Sequence, residues 1–271
     1  MMSARAGKRE ERSLGKQLPK APLVEALLEI RWELNSDDSG SIEGGEFSLF
    51  LGRFFEKIKN DYRFPEKLPS ASMPDQITEN IVKYRFRASA GGWPLVQAGP
   101  GIVALNFTTK VYTWSRFRKA ALKLWLAVQE SLALDGVAKS VRIESALLRY
   151  INAVVIDPAE IETFLRDRLH VVLDLPGAIR ETAGDGADTT GLRVNVSFGI
   201  ERLPGQGMIQ IGTGIHENQH AIVFEELIRS VGDDTPQSKK EFEKWLDEGH
   251  MVAESWFLEL VRGDLLKDFG G

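Results

Sequence analysis

Apolar and polar residues alternate in several short segments of the chain, and in other segments apolar residues recur at helical spacing. Alternation with a period of two predicts half-buried strands at 24–34, 81–88 and 192–200. Apolar runs predict one long strand at 143–156 and shorter strands at 94–99, 102–107, 208–211 and 221–227. Spacings of three and four predict amphipathic helices at 47–58, 115–134 and 238–267, the second of them capped by Ser115. The Gly/Asp/Thr-rich stretch 175–191 predicts a loop.

The order of these elements is the same in both halves of the chain: strand, helix, three strands, helix. A sequence match accompanies it, because residues 96–102 (VQAGPGI) and 209–215 (IQIGTGI) share one V/I-Q-x-G-x-G-I pattern. Helices that follow blocks of antiparallel strands cover one face of a sheet. We therefore expect an α+β fold of two tandem β-α-β-β-β-α repeats that form one curved antiparallel sheet with helices on one face. This is a plan like that of the TATA-binding protein. The expected division is a disordered basic tail at 1–20, a first repeat at 21–136 and a second at 137–271.

Several segments carry a family resemblance, and they follow one another along nearly the whole chain from Ala21. They are 22–26 with 29–31, 96–100 with 106–107, Tyr112 with Trp114, 148–152 and 250–257. In these segments the chain resembles a sporadically distributed prokaryotic family of proteins of similar length that has no assigned function. The resemblance implies an accessory protein of mobile-element or defence neighbourhoods, and it implies no particular substrate or cofactor.

Composition excludes several classes of protein and of site. The 271 residues are 43% hydrophobic and 27% charged, which is typical of a folded globular chain. The absence of cysteine excludes disulfides, thiol nucleophiles and Cys-ligated metals. The formal net charge is −5, although residues 1–20 hold six basic and two acidic residues. Since no apolar run is long enough to span a membrane and no secretory signal is evident, we expect a cytoplasmic protein without membrane contact.

One motif is typical of catalysis. Residues 216–220 read His-Glu-Asn-Gln-His, an H-E-x-x-H motif. On a helix, His216 and His220 would share a face and bind Zn²⁺, with Glu217 as general base and Glu241 or Glu243 as a third ligand. The neighbouring sequence favours a polar hairpin instead, because a Gly-Thr-Gly turn precedes the motif and β-branched residues follow it. We therefore expect no metal cofactor and keep a zinc-dependent metallohydrolase as the alternative.

Polar residues interrupt strands that otherwise look buried. A buried polar group costs about 1–3 kcal/mol unless it forms a hydrogen bond. Such residues therefore pair with one another, face water on the open side of the sheet, or contact a ligand. These candidate ligand-binding residues are Gln97, Asn106, Arg149, Tyr150, Asn152 and Gln210.

Two further surfaces are candidates for partners. Lys83, Arg85 and Arg87 alternate onto one face of a strand, and such a basic sheet face could hold nucleic acid. The last helix carries Trp245, Trp256 and Phe257, which are core residues or, if half covered, an interface for a protein partner or a second copy. The best-supported expectation is a non-enzymatic binding or adaptor protein that presents the sheet face or the groove between its halves. A nucleic-acid-binding protein and the metallohydrolase remain the alternatives.

Overall fold

One antiparallel sheet organises the chain. The computed structural model describes residues 18–34, 46–133, 142–184 and 189–271, and in these ranges nine strands pair in the order β2-β3-β4-β5-β1-β6-β9-β8-β7. This arrangement confirms the predicted α+β class and the antiparallel sheet. The strands are β1 (Leu23–Trp32), β2 (Phe64–Lys67), β3 (Tyr84–Arg87), β4 (Leu95–Gly99), β5 (Ile102–Thr108), β6 (Ile143–Val155), β7 (Arg193–Gly199), β8 (Gln206–His216) and β9 (Gln219–Val231).

Helices follow the strands in both parts of the chain. The first residue of α2 follows Thr113, whose side chain accepts a hydrogen bond from the Arg116 amide, so the cap predicted at Ser115 lies two residues earlier. Ser238 caps α5 in a reciprocal capping box with Glu241. The helices are α1 (Glu46–Ile58), α2 (Trp114–Leu132), α3 (Ile161–Thr163, continued by a π-turn at Phe164–Arg168), α4 (Gly177–Ala183), α5 (Lys239–Leu260) and α6 (Asp264–Asp268).

The two faces of the sheet differ in character. On β1, Ala26, Leu28 and Ile30 are fully buried, whereas the alternate residues Glu29 and Arg31 form an ion pair on the other side. Because successive side chains of a strand point to opposite faces, the period-two pattern places one face against the helices. Burying a side chain such as Leu28 contributes about 1.5–3 kcal/mol. We call this side the helix face and the other side the opposite face.

Two hydrophobic clusters fill the helix face. The larger cluster lies beneath α1, α2 and α5, where the rings of Trp125 and Phe242 stack with centroids 4.2 Å apart. The smaller cluster joins α3 and α6 to strands β8 and β9, and Phe224 is fully buried within it. Helices α2 and α5 contact each other across the centre of the sheet. The end of β5 and the start of α2 therefore come close to the middle of α5.

Three sequence-based predictions need correction. The stretch predicted as a loop at 175–191 contains α4. The last helix does not run unbroken to residue 267, because Gly263 adopts a left-handed φ of 84° that ends the helical path. In the matched segments, residues 99–101 include the turn between β4 and β5, whereas residues 212–214 lie inside β8. The second hairpin therefore turns later than the match implied.

The end of the predicted tail is attached to the fold. The Lys20 amide donates to the Phe269 carbonyl over 3.1 Å, and Leu18 packs on the smaller cluster. The rest of the predicted tail, residues 1–17, and the predicted repeat boundary at 136/137 lie outside the described residues. Among the described helices, none combines the length and apolar character that a membrane span requires.

Candidate functional site

A cavity of about 420 Å³ opens on the helix face above the central strands. Its floor comes from β1, β6 and β9, and its walls come from the segment before α2, the first turn of α2 and the middle of α5. Most of its surface is apolar or aromatic, and a few polar groups converge on it, as is typical of small-molecule sites. Its polar and aromatic lining comprises Thr109, Tyr112, Thr113, Trp114, Ser115, Tyr150, Asn152, Glu226, His250, Glu254 and Phe257.

Aromatic rings form one wall of the cavity. The Trp114 indole stacks on the His250 imidazole, with ring centroids 3.7 Å apart and planes 18° from parallel. The ring of Tyr112 meets that of Tyr150 edge-on at 6.0 Å. Rings in such contacts hold one another in place and present rigid surfaces. The wall is therefore organised before any ligand arrives.

Three of these residues form a hydrogen-bonded chain. The Tyr112 hydroxyl donates to the Tyr150 oxygen over 3.4 Å, and the Tyr150 oxygen lies 3.0 Å from His250 Nδ1. Burial lowers the pKa of His250 to about 4, so the ring is neutral at pH 7. Its Nδ1 can then accept from Tyr150, which leaves the proton on Nε2, 3.9 Å from Glu254 Oε2. Burial also raises the pKa of both tyrosines.

Glu226 lines the cavity with a buried carboxyl oxygen that has no partner among the described residues. It lies on β9 between Phe224 and Ile228 and is 1% exposed. Asn152 Nδ2 donates to its Oε2 over 3.0 Å, whereas its Oε1 has no hydrogen-bond partner among the described residues. Burial raises the pKa of this carboxyl well above its usual range. An unpaired buried carboxyl oxygen costs about 1–3 kcal/mol, so it is an unusual feature in a folded core.

In the part of the chain that the structure describes, three other buried side-chain atoms also lack a partner. They are Asn80 Oδ1, Trp125 Nε1 and Arg168 Nε, and none of the three residues lines this cavity. Glu226 therefore differs from them in lining this cavity. A second depression of about 600 Å³ lies between α1 and α2, and two ion pairs lie along it, Lys57–Glu130 and Lys123–Asp61.

The predicted ligand-binding residues fall into two groups. Tyr150 and Asn152 lie on the helix face and line the cavity. Gln97 and Asn106 lie on the opposite face, in a chain in which Arg85 donates to Gln97 (3.2 Å), Gln97 to Asn106 (3.0 Å) and Asn106 to Glu25 (2.5 Å).

The other two predicted ligand-binding residues also lie on the opposite face. Arg149 pairs with Glu225 at 2.6 Å, and the Gln210 amide reaches the sulfur of Met208 at 3.2 Å. Of the six residues, four therefore lie on the opposite face, whereas Tyr150 and Asn152 lie on the helix face. The reason is the strand period of two, because on β6 Tyr150 and Asn152 alternate with Arg149.

The basic strand does not form the free cationic surface that its sequence suggested. Lys83 is 2% exposed, and its ammonium contacts Asp75 Oδ1 and the Met73 carbonyl, each at 2.5 Å. Arg87 is also buried and donates to Glu66 (2.8 Å) and to the Gly92 carbonyl (2.7 Å). These cations neutralise neighbouring parts of the chain. Nucleic-acid binding through Lys83, Arg85 and Arg87 stays a prediction without an exposed basic face to support it.

The H-E-x-x-H motif forms a β-hairpin, as its context predicted. Glu217 and Asn218 both have positive φ values (49° and 63°) and form the two-residue turn between β8 and β9. His216 pairs with Gln219 and His220 with Ile215, so the two imidazoles project to opposite faces of the hairpin. The helical geometry on which the zinc alternative depended is not present. Among the described residues, no three His, Asp or Glu side chains are grouped to hold a metal.

The aromatic residues of the last helix have separate environments. Trp245 is buried and donates to Ser230 Oγ over 2.8 Å, and Phe257 lines the cavity. Trp256 is partly covered and lies 5.4 Å from the exposed Phe198 ring on the edge strand β7. A protein partner or second copy bound through this helix stays a prediction.

Sequence reasoning missed the most informative residues of the cavity. Successive residues of a strand lie on opposite faces, which separates Glu225 from Glu226 but does not tell which of them is buried. His250 and Glu254 are four residues apart on a helix, a spacing that is common for surface pairs, whereas the His250 side chain is only 13% exposed. A signal was present for Glu226, because it has the same strand parity as the core residues Phe224 and Ile228.

Comparison with known proteins adds no relative: no protein-family model matches the chain, and no curated protein matches it.

Proposed function

We propose that this protein binds a small organic ligand in the cavity between α2 and α5, and that it acts by binding rather than by catalysis. Residues from both the first and the second parts of the chain line this cavity. It has the volume, the apolar walls and the few convergent polar groups that such sites have. The Trp114–His250 stack supports the proposal because it provides a preformed rigid wall, which reduces the entropy lost on binding.

The observation that carries this proposal is the unpaired Oε1 of Glu226. Folded proteins pair nearly all buried polar atoms, because each unpaired one costs stability. Such a cost is commonly retained where it serves a function. A ligand that supplies the missing hydrogen bond would recover this free energy on binding, and the cavity gives it the space to do so.

We also propose that the two parts of the chain are tandem repeats related by a two-fold-like arrangement. The strand order supports this, because β1 and β6 are central neighbours, with β5 and β9 outside them and then β4 and β8. Leu28 lies opposite Leu148 in the register of the central pair. The ligand site would then lie where the two repeats meet.

The first experiment asks whether the cavity accepts a ligand at all. The neutral fluorophore N-phenylnaphthylamine is titrated into the wild-type protein and two variants of α2. Ser115→Trp places a large ring at the exposed rim, whereas Lys119→Trp places the same ring one helical turn further on, at a residue that does not line the cavity.

We expect saturable binding with one site per chain in the wild type, at least about tenfold weaker binding in Ser115→Trp, and an unchanged affinity in Lys119→Trp. Circular dichroism checks that both variants fold. Absence of saturable binding, or equal affinity in the two variants, would contradict the proposed function.

A further inference from the structure

The charge and the rings of the cavity identify a class of ligand. Building on the proposed function, we infer that the cavity takes an organic cation, a compound with an apolar body and a protonated amine that donates to Glu226 Oε1. Three separate features of the cavity lead to this inference: its formal charges, its aromatic surfaces, and the type of hydrogen-bonding atom that is left without a partner.

The first feature is the charge of the lining residues. Among the described residues, the cavity lining includes two carboxyl groups, Glu226 and Glu254, and no Lys or Arg. The His250 ring adds no positive charge at neutral pH, since burial keeps it neutral. An anionic ligand would meet no cation among these side chains, whereas a cation would meet an acidic group at the floor and another at the wall.

The second feature is the aromatic wall. Trp114, Tyr112, Tyr150 and Phe257 all line the same cavity as the two carboxyl groups. The faces of such rings carry negative electrostatic potential and attract ammonium groups. Aromatic rings together with acidic side chains are a combination that favours an amine over a neutral compound of the same shape.

The third feature is the missing partner of Glu226. Asn152 already donates to Oε2, so only Oε1 is left to bind a ligand. An ionised Oε1 accepts hydrogen bonds, and a protonated primary or secondary amine supplies N–H donors together with the compensating charge. A quaternary ammonium has no N–H and would leave the oxygen unpaired, so the inference is for an amine that retains its protons.

The amino terminus of α2 is a feature of the cavity that favours an anion over a cation. The first turn of α2 borders the cavity at Thr113 and Ser115, and a helix amino terminus carries a partial positive charge of about +0.5. Thr113 Oγ1 already accepts from the Arg116 amide there. The two carboxyl groups exceed this partial charge when ionised, and the experiment includes an anion so that the helix terminus is tested directly.

The proton balance of binding supplies a second measurement. Burial raises the pKa of Glu226, which favours the protonated acid in the empty cavity. An ammonium that ionises this carboxyl on binding forms an ion pair with it and displaces the acid's proton to solvent. The other titratable groups that face this space are Tyr150 on β6, Tyr112 before α2, and His250 and Glu254 on α5. Neither tyrosine nor the neutral His250 has a proton to lose near pH 7, and Glu254 is the group to control for.

The experiment compares three probes with nearly the same skeleton: phenethylammonium, phenethyl alcohol and phenylacetate. Each displaces N-phenylnaphthylamine from the wild-type protein, from Glu226→Gln and from Glu225→Gln. The first variant keeps the size of Glu226 and an acceptor for Asn152. The second removes the neighbouring carboxyl, which lies on the opposite face in an ion pair with Arg149. Calorimetry in two buffers of different ionisation enthalpy counts the protons released, and Glu254→Gln serves as the control for their source.

We expect phenethylammonium to bind the wild type at least about tenfold more tightly than phenethyl alcohol, with phenylacetate weakest. Glu226→Gln should abolish this preference and the proton release, whereas Glu225→Gln should change neither. Equal affinities, or tighter binding of phenylacetate, would overturn the cation inference while leaving the proposed function intact. If the fluorophore binds and none of the three probes displaces it, the inference is also overturned. Failure of the fluorophore itself to bind would instead contradict the proposed function.

Discussion

The two faces of the central sheet treat polar side chains in different ways, and Glu225 and Glu226 on β9 provide the clearest comparison. Glu225 lies on the opposite face and pairs with Arg149 at 2.6 Å. Glu226, the next residue, lies on the helix face and lines the cavity, and its Oε1 has no partner within the described ranges. One residue along a strand thus separates a satisfied carboxyl from an unsatisfied one.

The comparison indicates that polar residues inside strands have different roles on the two faces. On the opposite face, Arg85, Gln97, Asn106 and Glu25 satisfy one another across four strands, which is a structural role. On the helix face, the polar groups converge on empty space and remain incompletely paired. A satisfied network stabilises the fold, whereas an incompletely satisfied one is where a ligand can gain binding free energy.

The largest expected effect is a loss of stability at acidic pH that is due to His250. Its pKa is lowered to about 4 by burial, so between pH 4 and its ordinary value of 6.5 the unfolded chain binds a proton that the folded chain does not. The contribution of the neutral His250 ring to the free energy of unfolding is therefore fully present above pH 6.5, and it is lost as the pH falls toward 4. This amounts to about 3 kcal/mol for a shift of this size.

The matched variant is His250→Asn, whose amide oxygen can accept from Tyr150 in place of Nδ1. The free energy of unfolding is measured by urea denaturation at several pH values from neutral to about 4. Over this range it should fall by about 3 kcal/mol more in the wild type than in the variant. Identical pH dependence in the two proteins would show that His250 is not buried in the cavity. His250 would then not count among the buried polar groups that distinguish the helix face from the opposite face.

The next effect concerns the opposite face. Asn106→Leu keeps the side-chain size but leaves Gln97 and Glu25 without their shared partner. We expect a loss of about 2 kcal/mol in the free energy of unfolding, because two polar groups remain in a largely buried setting. Gln210→Leu on the same face is the control. The Gln210 amide donates to the Met208 sulfur, a weak acceptor, so its loss should stay within about 0.5 kcal/mol. Equal losses would contradict a structural network centred on Asn106.

Much of this fold is predictable from local sequence patterns. The alternation in β1 and the apolar run of β6 record which side chains are buried, and the stripe of α5 does the same at helical spacing. Local patterns fail where burial is not local. Strand β2 is short and mostly exposed, so it has no alternation to detect, and Gly263 interrupts a helical stripe that continues beyond it.

The cavity was harder to predict than the sheet. Its defining contacts join residues far apart in the chain, and Tyr150 and His250 are 100 residues apart. Tyr112 lies in a connection with no periodic pattern, and Trp114 is the first residue of a helix, so neither has a local signal for its role. The sequence did indicate that Tyr150 and Asn152 need partners, because both are polar in a buried strand. Which partners they have depends on how β6, β9 and α5 pack.

The third prediction concerns the helix face, where removing a polar pair should raise the stability rather than lower it. Asn152→Leu combined with Glu226→Met removes both members of a buried pair and replaces them with apolar groups of similar size. We expect the double variant to be as stable as the wild type or about 1 kcal/mol more stable in urea denaturation at neutral pH, while it loses any preference for amines.

The pH dependence of this gain tests its cause. Because burial raises the pKa of Glu226, the folded wild type binds more protons than the unfolded chain, and its carboxyl contributes stability that is lost as the pH rises above the unfolded value. The advantage of the double variant should therefore grow from acid to neutral pH. A double variant that is clearly less stable than the wild type would mean that this pair is structural, like those on the opposite face.

The smallest effect concerns the Arg149–Glu225 pair. Its two side chains are 33% and 13% exposed, so solvent screens their attraction and a coupling energy of only about 0.5 kcal/mol is expected from a double-mutant cycle of Arg149→Met and Glu225→Gln. The coupling should shrink further at about 1 M salt, because screening then acts over a few ångströms. A coupling of several kcal/mol that resists salt would mean that the opposite face is covered and dry. Glu225 would then be as buried as Glu226, and the contrast between the two faces would reduce to whether each carboxyl has a partner.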